Sequence, residues 1–191
     1  PWDGSPAALE GGLVEVHTRT GASTGIFKPR GHLKHPTDLA LAHNNIYITD
    51  TGSHRIRKVA GFNPADVGTS LGASSLALST LVGSAGPGDS DGTAAAAKLR
   101  SPKGIVFDTK SDRLIVADDG NHKLRAVAWD SGEVTTIDVV SIDGAAGATL
   151  GELFGLAFNE DEGTKGTLYI SVVDQHRILK LDLDSGAATT D

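Results

Sequence analysis

The chain has 191 residues, with 17 Lys and Arg against 24 Asp and Glu, which gives a formal charge of −7. This acidic balance argues against a mainly electrostatic attraction to nucleic acid or to an anionic membrane. Hydrophobic residues make up 39% and charged residues 21%, which is typical of a chain that folds around a core. The absence of cysteine excludes disulfides, thiolate zinc ligands and thiol catalysis.

Glycine is over-represented, with 24 residues where average usage of about 7% predicts roughly half that number. Such an excess favours short strands joined by many tight turns. No apolar run approaches the roughly 18–20 residues of a membrane span. A chain that starts at Pro1 and lacks Met indicates a processed precursor or a fragment, and we expect an extracellular or lumenal location.

The chain contains three copies of one unit. The copies run from Pro36 to Val59, from Pro102 to Val127 and from Leu153 to Leu181. Apolar residues alternate with a period of two in each copy, as in Leu39 and Leu41, which predicts half-buried strands. A polar hairpin and a second alternating run follow, and a third strand is predicted from a recurring histidine. Each unit is therefore predicted to be an antiparallel meander.

The predicted fold class is all-β, a β-propeller of four-stranded antiparallel blades with about three and a half blades present. We assign residues 1–35 to the last strands of a partial blade and the connection after them, residues 36–101 to a blade with a long loop insertion at 60–80, residues 102–152 to a second such blade, and residues 153–191 to a final blade that is either complete or incomplete. Propellers have about four to eight blades, so more blades or another chain are expected to complete the ring.

The segments TDTGSHRIRKV and ADDGNHKLRAV resemble the NHL repeat, in which an apolar strand precedes Asp, a Gly-containing turn, His and Arg. The segment from Leu81 to Asp108 is similar to the family's connection between blades. The third copy departs from the pattern with Val172 in place of Asp and Leu153 in place of Pro. The resemblance implies a propeller fold, and its roles include protein scaffolds, RNA binders, lyases and hydrolases.

The recurring polar residues are interpreted as structural parts of the repeat, because a feature present once per blade indicates how the blade is built. These residues are Asp50, Gly52, His54, Arg57, Asp118, Gly120, His122, Arg125, His176 and Arg177. A weak calcium hypothesis falls on Asp89 and Asp91 in a Gly-rich turn and on Asp161 in an acidic turn, although neither turn has the ligand spacing of an EF-hand.

Two further hypotheses remain open beside a non-enzymatic binding module. Arg55, Lys123 and Arg177 recur in phase and predict a basic stripe for RNA, but aromatic residues for base stacking make up only 5%. The second is a fragment of a metal-dependent hydrolase or lyase, although the sequence contains no GxSxG, HExxH or phosphate-loop motif. We expect no catalytic residue and no cofactor. The expected partners are other protein chains or a glycan, bound through propeller faces and the loop at 61–80.

Overall fold

The computed structural model describes residues 13–16, 23–27, 33–61, 78–161 and 165–190. Almost all regular structure in these ranges is antiparallel β-sheet. A two-stranded ribbon comes first and consists of β1 (Leu13–Val16) and β2 (Ser23–Phe27). The predicted strand near the start of the chain is therefore present and pairs with a second strand.

Three sheets follow, and each contains a four-stranded meander in which consecutive strands pair; the third sheet has two further short strands. The first sheet contains β3 (Pro36–Ala42), β4 (Asn45–Asp50), β5 (Arg55–Ala60) and β6 (Leu78–Val82). The second contains β7 (Pro102–Asp108), β8 (Arg113–Asp118), β9 (Lys123–Val127) and β10 (Val134–Ile137).

Between the second and third sheets, the chain forms β11 (Ser141–Ile142) and β12 (Ala145–Ala146). The third sheet contains β13 (Leu153–Asn159), β14 (Thr167–Val172), β15 (Arg177–Asp182) and β16 (Ala187–Thr190). Strand β11 joins it as a parallel neighbour of β16. The prediction of four-stranded antiparallel units is confirmed.

The three sheets share one register. The first hairpin of each sheet opens with a pair that is followed by a shift in register: Pro36 with Asp50, Pro102 with Asp118, and Leu153 with Val172. In each sheet the second and third strands then pair without interruption. Residues can therefore be compared position by position across the sheets.

Two hydrophobic clusters lie between neighbouring sheets. The first joins residues of the first and second sheets, including Tyr47, Ile56, Leu114, Val116 and Val127, with Leu99 from the connection between them. The second joins residues of the second and third sheets, including Ile115, Leu124, Leu153, Leu168, Ile170 and Leu179. The expectation of half-buried strands is wrong for β8: its alternate side chains point to opposite faces, and both faces are covered, so Leu114 and Ile115 are equally buried.

The predicted long insertion at 60–80 lies mostly outside the described residues, which resume at Leu78 in β6. No helix in the described ranges is long and apolar enough to span a membrane.

Candidate functional site

Two buried aspartates anchor the chain where it enters a sheet. Asp50 and Asp118 end the second strand of their sheets and are fully buried. The Oδ1 atom of Asp50 accepts a hydrogen bond from the backbone N–H of Lys34 at 2.5 Å, and that of Asp118 accepts one from Arg100 at 2.7 Å. Both amides belong to the connection that precedes the sheet. Each carboxylate therefore fixes an incoming connection.

Glycines beside these aspartates let the same connection approach closely. The N–H groups of Gly52 and Gly120 donate to the carbonyl oxygens of Lys34 at 2.8 Å and Arg100 at 2.9 Å. A Cβ atom at Gly120 would lie 2.8 Å from the Arg100 carbonyl oxygen and 2.5 Å from its Cγ. Because a side chain there would collide with backbone, this position requires glycine.

The first two recurring histidines, His54 and His122, bond the connection that leaves their sheet. His54, His122 and His176 have left-handed backbones, with φ of 59°, 54° and 50°. The Nδ1 atom of His54 accepts a bond from the Ser101 N–H, and Nδ1 of His122 donates to the Gly151 carbonyl oxygen, both at 3.0 Å. The third strands begin one residue after the histidines rather than at them, since the left-handed residue closes the preceding turn.

Arg125 is the buried centre of an ion-pair network. Its side chain is 1% exposed, and its Nε donates to Oδ2 of Asp118 at 2.9 Å. Nη1 donates to Asp91 at 2.6 Å, and Nη2 donates to Asp89. Desolvation lowers the pKa of Arg125, but the bonds to Asp118 and Asp89 outweigh it and raise that pKa overall. The guanidinium therefore stays charged although it is buried.

Arg57 occupies the same position in the first sheet and makes looser contacts. Its Nη1 lies 3.6 Å from Oδ2 of Asp50, and its Nε donates to the Ser79 carbonyl oxygen at 3.1 Å. The Asp50 Oδ2 atom is buried without a hydrogen-bond partner. The first and second sheets thus share the Asp–Arg pair, but only the second completes its hydrogen bonds.

The calcium candidates Asp89 and Asp91 face protein cations. Lys123 Nζ lies 2.7 Å from Asp89, and its hydrogen bond, followed by those of Arg125, lowers the pKa of the Asp89 carboxyl. Calcium at this position would have to displace two bonded cations, and the calcium hypothesis stays a prediction. Asp161 donates its N–H to Asn159 at 3.0 Å, while the neighbouring residues 162–164 lie outside the described ranges. Those ranges contain no group of three or more residues arranged to hold a metal.

The third sheet replaces the Asp–Arg pair with two apolar residues. Val172 stands at the position of Asp118, Leu179 stands at the position of Arg125, and both are buried. Arg177 Nη1 instead donates to Asp143 at 3.2 Å. Two residues of the predicted basic stripe, Lys123 and Arg177, therefore form ion pairs with Asp89 and Asp143, whereas the Nε atom of Arg55 is buried without a hydrogen-bond partner.

A second departure of the third sheet lies at the sheet end that carries the connections. Thr37 and Thr51 of the first sheet share a hydrogen bond of 2.8 Å, and Lys103 and Asp119 of the second form an ion pair of 2.9 Å.

The matching residues of the third sheet are Phe154 and Val173, which are 50% and 46% exposed. Lys103 Nζ lies 5.5 Å from the Phe154 ring centroid. Sequence reasoning missed this pair, although comparing the copies column by column would have shown two apolar residues in a polar column.

A family model for the NHL repeat matches residues 33–59. NHL repeat-containing protein 2 of Bos taurus is 34% identical over 104 residues, which cover 51% of this chain and 14% of that protein. Protein SUPPRESSOR OF QUENCHING 1, chloroplastic, of Arabidopsis thaliana is 30% identical over 113 residues, which cover 59% of this chain and 10% of that protein. The chain thus spans about a seventh or less of these relatives.

Solved structures share the fold at low sequence identity. An auxiliary nutrient binding protein from Bacteroides thetaiotaomicron matches with a TM-score of 0.66 and 18% identity, over 90% of this chain and 42% of that chain. A virginiamycin B lyase from Staphylococcus aureus matches with a TM-score of 0.55 and 11% identity, over 93% of this chain and 47% of that chain. Together with the shared sheet register, these likenesses support an NHL-repeat β-propeller fold for the chain, with the NHL repeat itself matched over residues 33–59.

Proposed function

We propose that this chain is a non-enzymatic protein-binding module whose contact surface centres on Phe154 and Val173. The observation that carries the proposal is the replacement of a bonded polar pair, present in the first two sheets, by two half-exposed apolar side chains. Removing an apolar pair of this kind from water is favourable, and aromatic anchors are enriched among the residues that dominate protein interfaces.

The surroundings suit a protein partner. Lys103 lies beside the Phe154 ring and pairs with Asp119, so the apolar pair is bordered by bonded charges. An apolar centre with a polar rim is the usual composition of a protein interface. A glycan would also stack on an aromatic ring, but it would call for hydrogen-bonding groups around Phe154 more than for a second apolar side chain such as Val173.

The recurring Asp, His and Arg residues support a non-enzymatic role. Asp118, His122 and Arg125 all bond backbone or buried carboxylates, and each of these bonds holds one part of the repeat to another. A catalytic acid, base or nucleophile needs a group free to reach a substrate. The virginiamycin B lyase shares the fold with this chain, and at 11% identity the likeness extends to the fold alone.

The test is affinity purification of the tagged chain from its native source, followed by cross-linking mass spectrometry at Lys103, the lysine beside the Phe154 ring. We expect one partner polypeptide to be joined to Lys103 repeatedly. Phe154→Asp should reduce its recovery by about tenfold or more, because a charge is forced into the apolar centre of the interface.

Val140→Asp is the matched control, since Val140 is also an exposed apolar residue but lies in the connection between the second and third sheets. It should leave recovery unchanged. Equal recovery with Phe154→Asp and the native chain would contradict the proposal. Capture that is competed by free glycans, or hydrolase activity that depends on added metal, would favour the rival functions.

A further inference from the structure

The contact between the first and second sheets is made in part by a Tyr–Lys pair. Tyr47 is fully buried, and its hydroxyl donates to the carbonyl oxygen of Trp129 in the second unit at 3.3 Å. Lys58 Nζ donates to the same carbonyl oxygen at 3.4 Å and lies 5.7 Å from the Tyr47 ring centroid. Tyr47 and Lys58 face each other across β4 and β5, so both side chains lie on the sheet face that receives the next sheet.

The third sheet repeats this pair. Tyr169 and Lys180 are partners across β14 and β15, and the ammonium lies 5.9 Å from the ring centroid. Ile178, on the same face, is 52% exposed, whereas its counterparts Ile56 and Leu124 are fully buried by the following sheet. The face of the third sheet thus has the residues of a contact between sheets and is open.

The first sheet exposes the opposite half of the same contact. In the second sheet, Ile105 and Phe107 pack in the cluster shared with the first sheet. In the third sheet, the matching residues Leu156 and Phe158 pack against the cluster shared with the second. The matching residues of the first sheet are Leu39 and Leu41, and both are about half exposed.

We propose that the open face of the third sheet, formed by Tyr169, Ile178 and Lys180, binds Leu39 and Leu41 on the first sheet of a second copy of this chain. The two surfaces are the two halves of a contact that the molecule already makes twice internally. Surfaces that differ but complement each other at opposite ends of one chain form head-to-tail contacts, which close into rings when the rotation allows.

Length is consistent with a ring of two copies. This chain covers 42% of the chain of the nutrient binding protein whose fold it shares, so two copies approach the length of one such chain. The two junctions of such a ring would involve surfaces other than Phe154 and Val173. The inference therefore does not depend on the proposed protein partner, and either can fail without the other.

The experiment is sedimentation equilibrium on the 191-residue chain and on three variants. The native chain should be dimeric. Ile178→Asp and Leu41→Asp should each be monomeric, because every junction in either homodimer would contain a buried charge. Val140→Asp, an exposed apolar residue outside both faces, should remain dimeric.

Mixing the two monomeric variants supplies the decisive measurement. One junction of the mixed pair contains two native faces, so a heterodimer should form with an affinity about tenfold or more below that of the native dimer. Tyr169→Phe removes only the hydroxyl, so it tests the same face even if the charged variants fail to fold. It should weaken the dimer by about 25-fold, which is about fivefold for the hydrogen bond lost at each of the two junctions.

Three results would overturn the proposal. A native chain that stays monomeric at about 100 µM, well above the micromolar affinity expected of a specific dimer, would remove the second copy as the occupant. A dimer that survives Leu41→Asp but not Ile178→Asp would indicate a symmetric contact between third sheets. Failure of the two monomeric variants to associate with each other would exclude a head-to-tail junction.

Discussion

The second and third sheets fill one buried position in opposite ways. The second uses the ion pair of Asp118 and Arg125, and the third uses Val172 and Leu179, with all four side chains buried. A buried ion pair must recover the cost of removing two charges from water, and apolar residues of similar volume often replace it without loss, provided that both partners change together. The repeat therefore requires a filled and matched pair at this position rather than a charged one.

The largest expected effect comes from breaking the pair on one side only. Arg125→Leu leaves Asp118 buried without its cation and removes a partner from Asp89 and Asp91. We expect a loss of about 3–5 kcal/mol in the free energy of unfolding, measured by urea denaturation.

The double variant Asp118→Val with Arg125→Leu copies the third sheet and should recover much of that loss. A deficit of about 1 kcal/mol should remain because the Arg100 N–H loses its acceptor. If the double variant is less stable than Arg125→Leu alone, the equivalence of the two sheets is wrong.

Gly104 in the second sheet and its counterpart Gly155 in the third provide a smaller contrast between the two sheets. A Cβ atom at Gly104 would collide with the backbone carbonyl of Phe154, whereas one at Gly155 would meet only the Ser171 hydroxyl at 3.3 Å. We expect Gly104→Ala to lower the unfolding free energy by about 1–3 kcal/mol. Gly155→Ala should be close to neutral in the same urea titration, and equal losses would show that both sheets have a tightly packed next neighbour.

The histidines provide a smaller contrast. His122 bonds the Gly151 carbonyl, while the His176 ring has no hydrogen bond within the described part of the chain. We expect His122→Ala to cost about 1 kcal/mol, and His176→Ala to cost less, as judged by thermal unfolding. His122→Asn tests the backbone separately, since asparagine tolerates the left-handed conformation but lacks the ring nitrogen. The Tm of His122→Asn should lie between that of the native chain and that of His122→Ala.

The smallest expected effect is a pH-dependent change in stability from the exposed Asp143, which lies in the connection before the third sheet. Hydrogen bonds from the Thr190 hydroxyl and then its N–H lower the pKa of Asp143, with a further contribution from Arg177. Because the pKa of Asp143 is lower in the folded chain than in the unfolded chain, its ionised carboxyl stabilises the fold at pH values above the unfolded pKa of about 3.9. This stabilisation disappears as the pH falls through the pKa of the folded chain. Asp143→Asn should therefore lower Tm slightly at pH 7 and not at pH 2.5. A difference that persists at pH 2.5 would assign the effect to shape rather than charge.

Much of the fold follows from local sequence signals. A period of two predicts the strands, and the recurrence of Asp, Gly and His fixes their register, because these residues occupy turns with special backbone requirements. The partners of Arg125 could not be predicted in this way, since Asp89 lies 36 residues away and no periodic pattern connects the two. The exposure of Phe154 could not be predicted from its own strand, because an apolar residue in an apolar strand gives no signal until the three copies are compared.

The connections also show where a modular unit of this protein begins. Asp91 bonds the N–H of Thr136, and Asp143 bonds that of Thr190, so each connection is fastened to the last strand of the sheet that comes after it. A shortened chain cut at Pro102 would retain every strand of the second sheet but lose the residues that hold its outer edge. A duplicated or exchanged unit should therefore fold when its boundary lies before the connection, near Gly83. It should fail to fold when its boundary is placed at Pro102, where the repeat seen in the sequence begins.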